Sequence, residues 1–244
     1  PDLSYCMHLG GTTFEMVDDQ KLVRNGSAND SSLVICELAP TNKWHMTIQG
    51  LLHGEELSVE ERDFKTEVAN YRDYYHGLMN GFSLTKNGDK EERLNKLNTV
   101  AWWYTHNMLV HFSVPHGLEQ YSGAAWGTRD VCQGPTEYFM ATQNYESVKE
   151  IIKTVYTHQF EEEGNWPQWF MFDKYFHIQA GESHGDIIVW PLKVLADYLE
   201  TTKDYQILQE KVPYTKRDDA FQLTEETATI YEHAKKEIQY IKDH

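Results

Sequence analysis

The stretch from Ala101 to Tyr138, "AWWYTHNMLVHFSVPHGLEQYSGAAWGTRDVCQGPTEY", changes character twice and decides how the rest of the chain is read. Its first part continues the helical spacing of Leu97, Val100, Ala101, Tyr104 and Met108. The middle gives way to a polar, glycine-bearing loop, and the end carries an Arg129–Asp130 pair, a cysteine and a Gly134–Pro135 stop. Long loops between helices are uncommon unless they have a function, so the segment Pro115 to Gly134 is a candidate site.

That segment offers His116, Glu119, Gln120, Tyr121, Trp126, Arg129, Asp130 and Gln133. A carboxylate and a guanidinium aimed at one sugar ring can clamp neighbouring hydroxyls through charge-assisted hydrogen bonds. Gly123 and Gly127 would let the backbone approach a ligand. The alternative is a structural salt bridge at the start of a helix beginning near Pro135, and spacing alone leaves both open.

A second polar loop runs from Glu161 to Gly185, followed at once by Asp186, and contributes Trp166, Trp169, Asp173, His177, Glu182 and His184. Asp186 stands just before the apolar stripe Ile188, Leu192, Leu195, Leu199 and reads as its N-cap, with Pro191 in the first turn. His184 precedes that cap and is expected to face a ligand. His177, His184 and Asp186 have no compact metal-binding spacing, so no metal or other cofactor is expected. Cys132 reads as a small buried residue rather than a nucleophile.

Outward from these loops the chain divides. Residues 1 to about 50 read as strands: "TTFEMV", "LVICEL" and "NKWHMTIQG", the last placing Trp44, Met46 and Ile48 on one face. Ser58 with Glu61 suggests a capping box opening a helix, after which "YRDYYHGLMNGFSLTKNGDKEE" reads as a linker. Val148, Ile151, Ile152 and Val155 mark a further helix. Ile230, Ala234, Ile238 and Ile241 mark a last one, expected to begin at Thr224 with Glu225 and Glu226 behind it.

Composition narrows the partners. A formal net charge of −16 argues against nucleic acid or an anionic membrane face. Three widely spaced cysteines suggest neither disulfides nor a zinc cluster and fit a reducing cytoplasm, and no apolar run is long enough to span a bilayer. The 7 Trp, 15 Tyr and 10 Phe lie often beside polar residues, a mixture that suits sugars, which present C–H faces and rims of hydroxyls, as well as a large core.

Taken with "HQFEEEGNWPQWF" and "SHGDIIVWPLKVLADYLETTKDYQIL", the opening stretch resembles the oligosaccharide phosphorylases of glycoside hydrolase family 94. "GLEQYSGAAWGTRDVCQGP" and "HGDIIVWPL" are most similar to the branch that acts on β-1,2-linked oligoglucans. The likeness is good over residues 95 to 215 and loose over 1 to 94. It implies a mainly α fold: the end of a β-sandwich over 1–55, a helical linker over 56–94, and over 95–244 the first half of an (α/α)6 catalytic barrel.

The resemblance also implies inverting phosphorolysis, with inorganic phosphate as co-substrate, giving α-glucose 1-phosphate and a shortened glucan. Arg129 and Asp130 match the family's Arg-Asp beside the transferred glucose, with Trp126, Tyr121, Gln120, Glu119, His116, Gln133 and His184 expected around the substrate. Cellobiose-type members continue to a Gln-Asp where this chain has Gln133–Gly134, which argues against a simple cellobiose phosphorylase. The family's general acid lies in a "GDWND"-like loop beyond a helix like the one ending at Ile241, and this sequence has no such motif. The chain is therefore expected to be a fragment, inactive alone, whose barrel is completed by the rest of its polypeptide, with apolar helix faces exposed and room for a homodimer. Other readings are a cellobiose-type phosphorylase, the phosphorylase-like domain of a cyclic β-1,2-glucan synthase, a hydrolase, or a non-catalytic carbohydrate-binding module.

Overall fold

The structure is a computed structural model that describes residues 3–19, 35–52, 55–56, 62–87, 91–113, 125–218 and 220–244. It divides into two units, residues 1–67 and 68–244.

The first unit holds two antiparallel ribbons. Strand β1 (Leu3–Gly10) pairs along its whole length with β4 (His45–Leu52), and β2 (Phe14–Asp18) pairs with β3 (Ile35–Leu38) with an irregularity after Phe14. In the first ribbon Met7 faces Ile48 and Leu9 faces Met46, so the alternation in the sequence puts Met46 and Ile48 on one face. Gly11, at φ +82°, makes the turn beside Lys43, whose carbonyl oxygen would stand 2.8 Å from a Cβ there. Ser58 and Glu61, read as a capping box, lie outside the described residues. Asp63 instead caps helix α1 (Phe64–Leu78): its Oδ2 accepts from the Thr66 amide at 2.9 Å and hydroxyl at 2.8 Å.

The stretch beginning at Tyr71 is helical in its first part, because α1 runs through it to Leu78. Gly77 is tolerated inside the helix, which ends where Asn80 and Gly81 both take positive φ. Helix α2 (Glu92–Ser113) follows, with Leu97, Val100, Trp103 and Tyr104 exposed and Met108 buried at the far end. The apolar stripe thus defines the helix, but only its later part is covered.

Strand β5 (Ala125–Gly127) leads directly into α3 (Thr128–Ala141), and β6 (Trp169–Met171) pairs antiparallel with β5, so the two polar loops meet in one short ribbon. The helix expected near Pro135 starts seven residues earlier. Thr128 fixes that start by donating its amide to Gln168 O at 2.9 Å and its hydroxyl to Pro167 O at 2.6 Å. Pro135 is buried inside the helix despite its missing N–H, an arrangement that packing of Val131, Cys132 and Phe139 outweighs.

Helix α4 (Tyr145–Thr157) buries Val148, Ile151, Ile152 and Val155 as their spacing predicts. Helix α5 (Val189–Thr202) has Pro191 in its first turn, also as predicted, and stops at Lys203 with φ +59°. Helices α2, α4 and α5 all pack on α3, and the core fills with Phe139, Ile152, Tyr156, Trp166, Phe170 and Ile207.

The last helix does not begin at Thr224. Residues Gln222–Thr229 form β8, paired with β7 (Lys211–Lys216), and α6 (Ile230–Asp243) starts behind Thr229. A reciprocal capping box with Glu232 fixes that start: the Glu232 amide donates to Thr229 Oγ1 at 3.2 Å and the Thr229 amide to Glu232 Oε2 at 2.8 Å. Thr224 serves the hairpin, accepting from the Tyr214 amide at 3.0 Å and donating to Glu226 O at 2.6 Å. Among the described residues no helix is long and apolar enough to cross a membrane.

Candidate functional site

The β5–β6 ribbon and the first turn of α3 set Arg129 and Asp130 on the second and third helical positions, where backbone amides lack partners within the helix. Gly127, the N-cap, supplies no side-chain bond. Arg129 and Asp130 do not pair with each other. Arg129 instead reaches Asp186, whose Oδ2 and Oδ1 accept from Nη1 at 3.1 and 3.4 Å. This overturns the reading of Asp186 as an N-cap: α5 begins at Val189 behind Ile188 with no side-chain cap, and Asp186 gives only its carbonyl, to the Val189 amide at 3.2 Å.

The Arg129 guanidinium, through its hydrogen bond first, holds the Asp186 carboxyl below the usual carboxylate range. Trp190 Nε1 adds a long contact to Asp186 Oδ2 at 3.5 Å. The Arg129 and Asp186 side chains are 38% and 50% exposed.

Asp130 and Gln133 are half-buried near the start of α3, and His184 is exposed beside Asp186. Trp126, expected to line the site, is only 5% exposed. Phe112, Phe170 and Phe172 surround it with ring centroids at 5.5, 6.1 and 5.0 Å, so it backs the start of α3 from inside the core. Trp166 is likewise core, donating its Nε1 to Val155 O at 2.8 Å. His116, Glu119, Gln120 and Tyr121 lie outside the described residues, as does Gly123. Cys132 is buried as predicted, and burial pushes its thiol far above the usual range, which makes it a poor nucleophile.

Beneath this surface lies a buried polar layer that sequence reasoning missed. Glu237 of α6 is fully buried, its Oε2 accepting from the Tyr156 hydroxyl at 2.9 Å and its Oε1 from the Leu192 amide at 3.1 Å. It therefore places a carboxyl group at the N-terminal end of α5, where it accepts the Leu192 amide. Burial raises its carboxyl to about 8. A signal was present: Glu237 continues the 230, 234 spacing of the buried face of α6.

The geometry joins the Arg129 guanidinium to the Asp186 carboxylate at the start of α3, with Asp130 on the same turn and the packed ring of Trp126 just before it, and charged donors and acceptors of this kind suit a polyhydroxylated ligand. No family model matches the chain. Over 230 residues it is 41% identical to the 1,2-beta-oligoglucan phosphorylase of Listeria innocua serovar 6a, a match that takes in 94% of this chain and 21% of that protein. The resemblance read from the motifs is borne out by this match. The chain spans about a fifth of the length of that relative.

Proposed function

We propose that these residues are a segment of a glycoside phosphorylase that acts on β-1,2-linked oligoglucans. The observation that carries the reading is the 41% identity, because a match over 94% of the chain must take in the whole stretch from β5 to the start of α5. In this reading residues 1–55 end a β-sandwich, 56–94 form a helical linker, and 95–244 contribute the first half of an (α/α)6 barrel. The stacking of α3, α4 and α5 around one core supports such an arrangement. The free cysteines Cys6, Cys36 and Cys132 suit a reducing cytoplasm.

Arg129 and Asp130 hold the terminal glucose through its hydroxyls, with Gln133 and His184 beside them. A phosphate oxygen attacks the anomeric carbon and forms the new C–O bond with inversion. The glycosidic C–O bond breaks, and its electron pair stays on the leaving oxygen. A carboxylic acid outside these residues protonates that oxygen, and the products are α-glucose 1-phosphate and a shortened glucan. Phosphate is already a nucleophile, so a second carboxylate acting as base is unnecessary.

The test is to incubate the complete polypeptide with sophorose oligomers, with and without inorganic phosphate, and to assay glucose 1-phosphate. Release that requires phosphate is expected. Release of free glucose without phosphate would make the protein a hydrolase, and no turnover of any β-glucan would leave a binding module.

A further inference from the structure

We propose that Asp186 is a positioning residue for sugar recognition, acting through Arg129; this rests on the reading of Arg129 as part of the glucose site. An arginine on the exposed first turn of a helix has many rotamers to lose before it can hold a hydroxyl, and the group that fixes it beforehand lowers that cost. Asp186 is built for this. Both of its oxygens accept from one terminal nitrogen of Arg129, at 3.1 and 3.4 Å, which fixes the end of a long side chain against a carboxylate from another element.

Asp186 is held from behind by packing and by the backbone. Its carbonyl accepts the Val189 amide that opens α5, and the next two residues, Ile187 and Ile188, are buried in the core. On the other side, Thr128 anchors the start of α3 to Gln168 and Pro167. The ion pair thus spans two fixed elements, 57 residues apart in sequence, and sets the guanidinium relative to Asp130 on the same turn. Half-exposed ion pairs contribute little to stability. Loss of Asp186 should therefore be read in kinetics rather than in folding.

The experiment compares Asp186→Asn, Asp186→Glu, Arg129→Ala and the double variant Asp186→Asn/Arg129→Ala in the complete enzyme, measuring kcat, KM and the unfolding midpoint. Asp186→Asn should lower kcat/KM roughly 10- to 100-fold, as misplacement of a binding group does, with the midpoint unchanged. Asp186→Glu should recover part of that loss. In the Arg129→Ala background, Asp186→Asn should cost no more than about twofold, because its effect runs through a group already removed. A full additive loss there would overturn the proposal and give Asp186 a direct contact with the sugar. Unchanged kinetics in Asp186→Asn beside impaired Arg129→Ala would overturn it while leaving the site reading intact. Unimpaired Arg129→Ala would overturn the site reading itself.

Discussion

Tyr156 and Glu237, 81 positions apart, meet in a fully buried hydrogen bond of 2.9 Å, and the second oxygen of Glu237 holds the Leu192 amide of α5. Through this carboxyl group α6 is tied to the end of α5 that follows Asp186. Burial raises its pKa from 4.5 to about 8, so the folded state binds a proton that the unfolded chain releases. The stability this contributes is complete below pH 4.5 and is lost as pH rises through about 8.

Glu237→Gln tests that layer. The amide can still accept from Leu192 with its oxygen, and like the protonated acid it carries no charge. Urea unfolding of the chain between pH 7 and 8.5, above the range in which His158 and His233 charge in the unfolded chain, should show stability falling with pH in the parent and a slope reduced by up to about one proton in the variant. An unchanged slope would assign the titration elsewhere.

His158 and His233 act in the opposite sense. Burial lowers each to about 4, with His158 enclosed by Phe170 and Phe176 and His233 stacked on Tyr214. Each stays neutral in the fold while the unfolded imidazole charges near 6.5, so their contribution is complete above 6.5 and is lost as pH falls toward 4. Proton NMR of the two rings should show no titration above about pH 5. Midpoints near 6.5 would mean that water reaches both rings.

Thr229→Ala removes one half of the capping box at the start of α6. Denaturant unfolding should show a loss of about 1 kcal/mol, with Thr229→Ser nearly neutral. A loss indistinguishable from zero would mean that packing of Ile230 and Ala234 alone sets the helix start.

The helices with strong apolar spacing were legible in the sequence. Val148, Ile151, Ile152 and Val155 fall on the buried face of α4, and Pro191 in the first turn of α5. The boundaries were less so. Pro135 suggested a helix start, but the anchoring of Thr128 to Gln168 and Pro167 comes from a segment about forty residues away, which no local rule can see. The threonines and glutamates of 222–229 read as a helix opening because acidic residues behind a threonine fit a helix start as well as a polar strand, and it is the hairpin with Lys211–Lys216 that makes them a strand. At the site, the Arg-Asp pair was visible as a motif. The contact between Arg129 and Asp186 was not, since the β5–β6 ribbon and the packing of α3 against α5 bring together residues 57 positions apart.

The measurement that bears most directly on the site is kcat/KM for phosphorolysis of a β-1,2-linked oligoglucan by the complete enzyme carrying Asp130→Asn. Losing a charge-assisted hydrogen bond to the transferred glucose should lower it about 10- to 100-fold, with the unfolding midpoint unchanged. A variant that keeps its activity, or one that loses it only by failing to fold, would contradict a sugar-holding role for the start of α3.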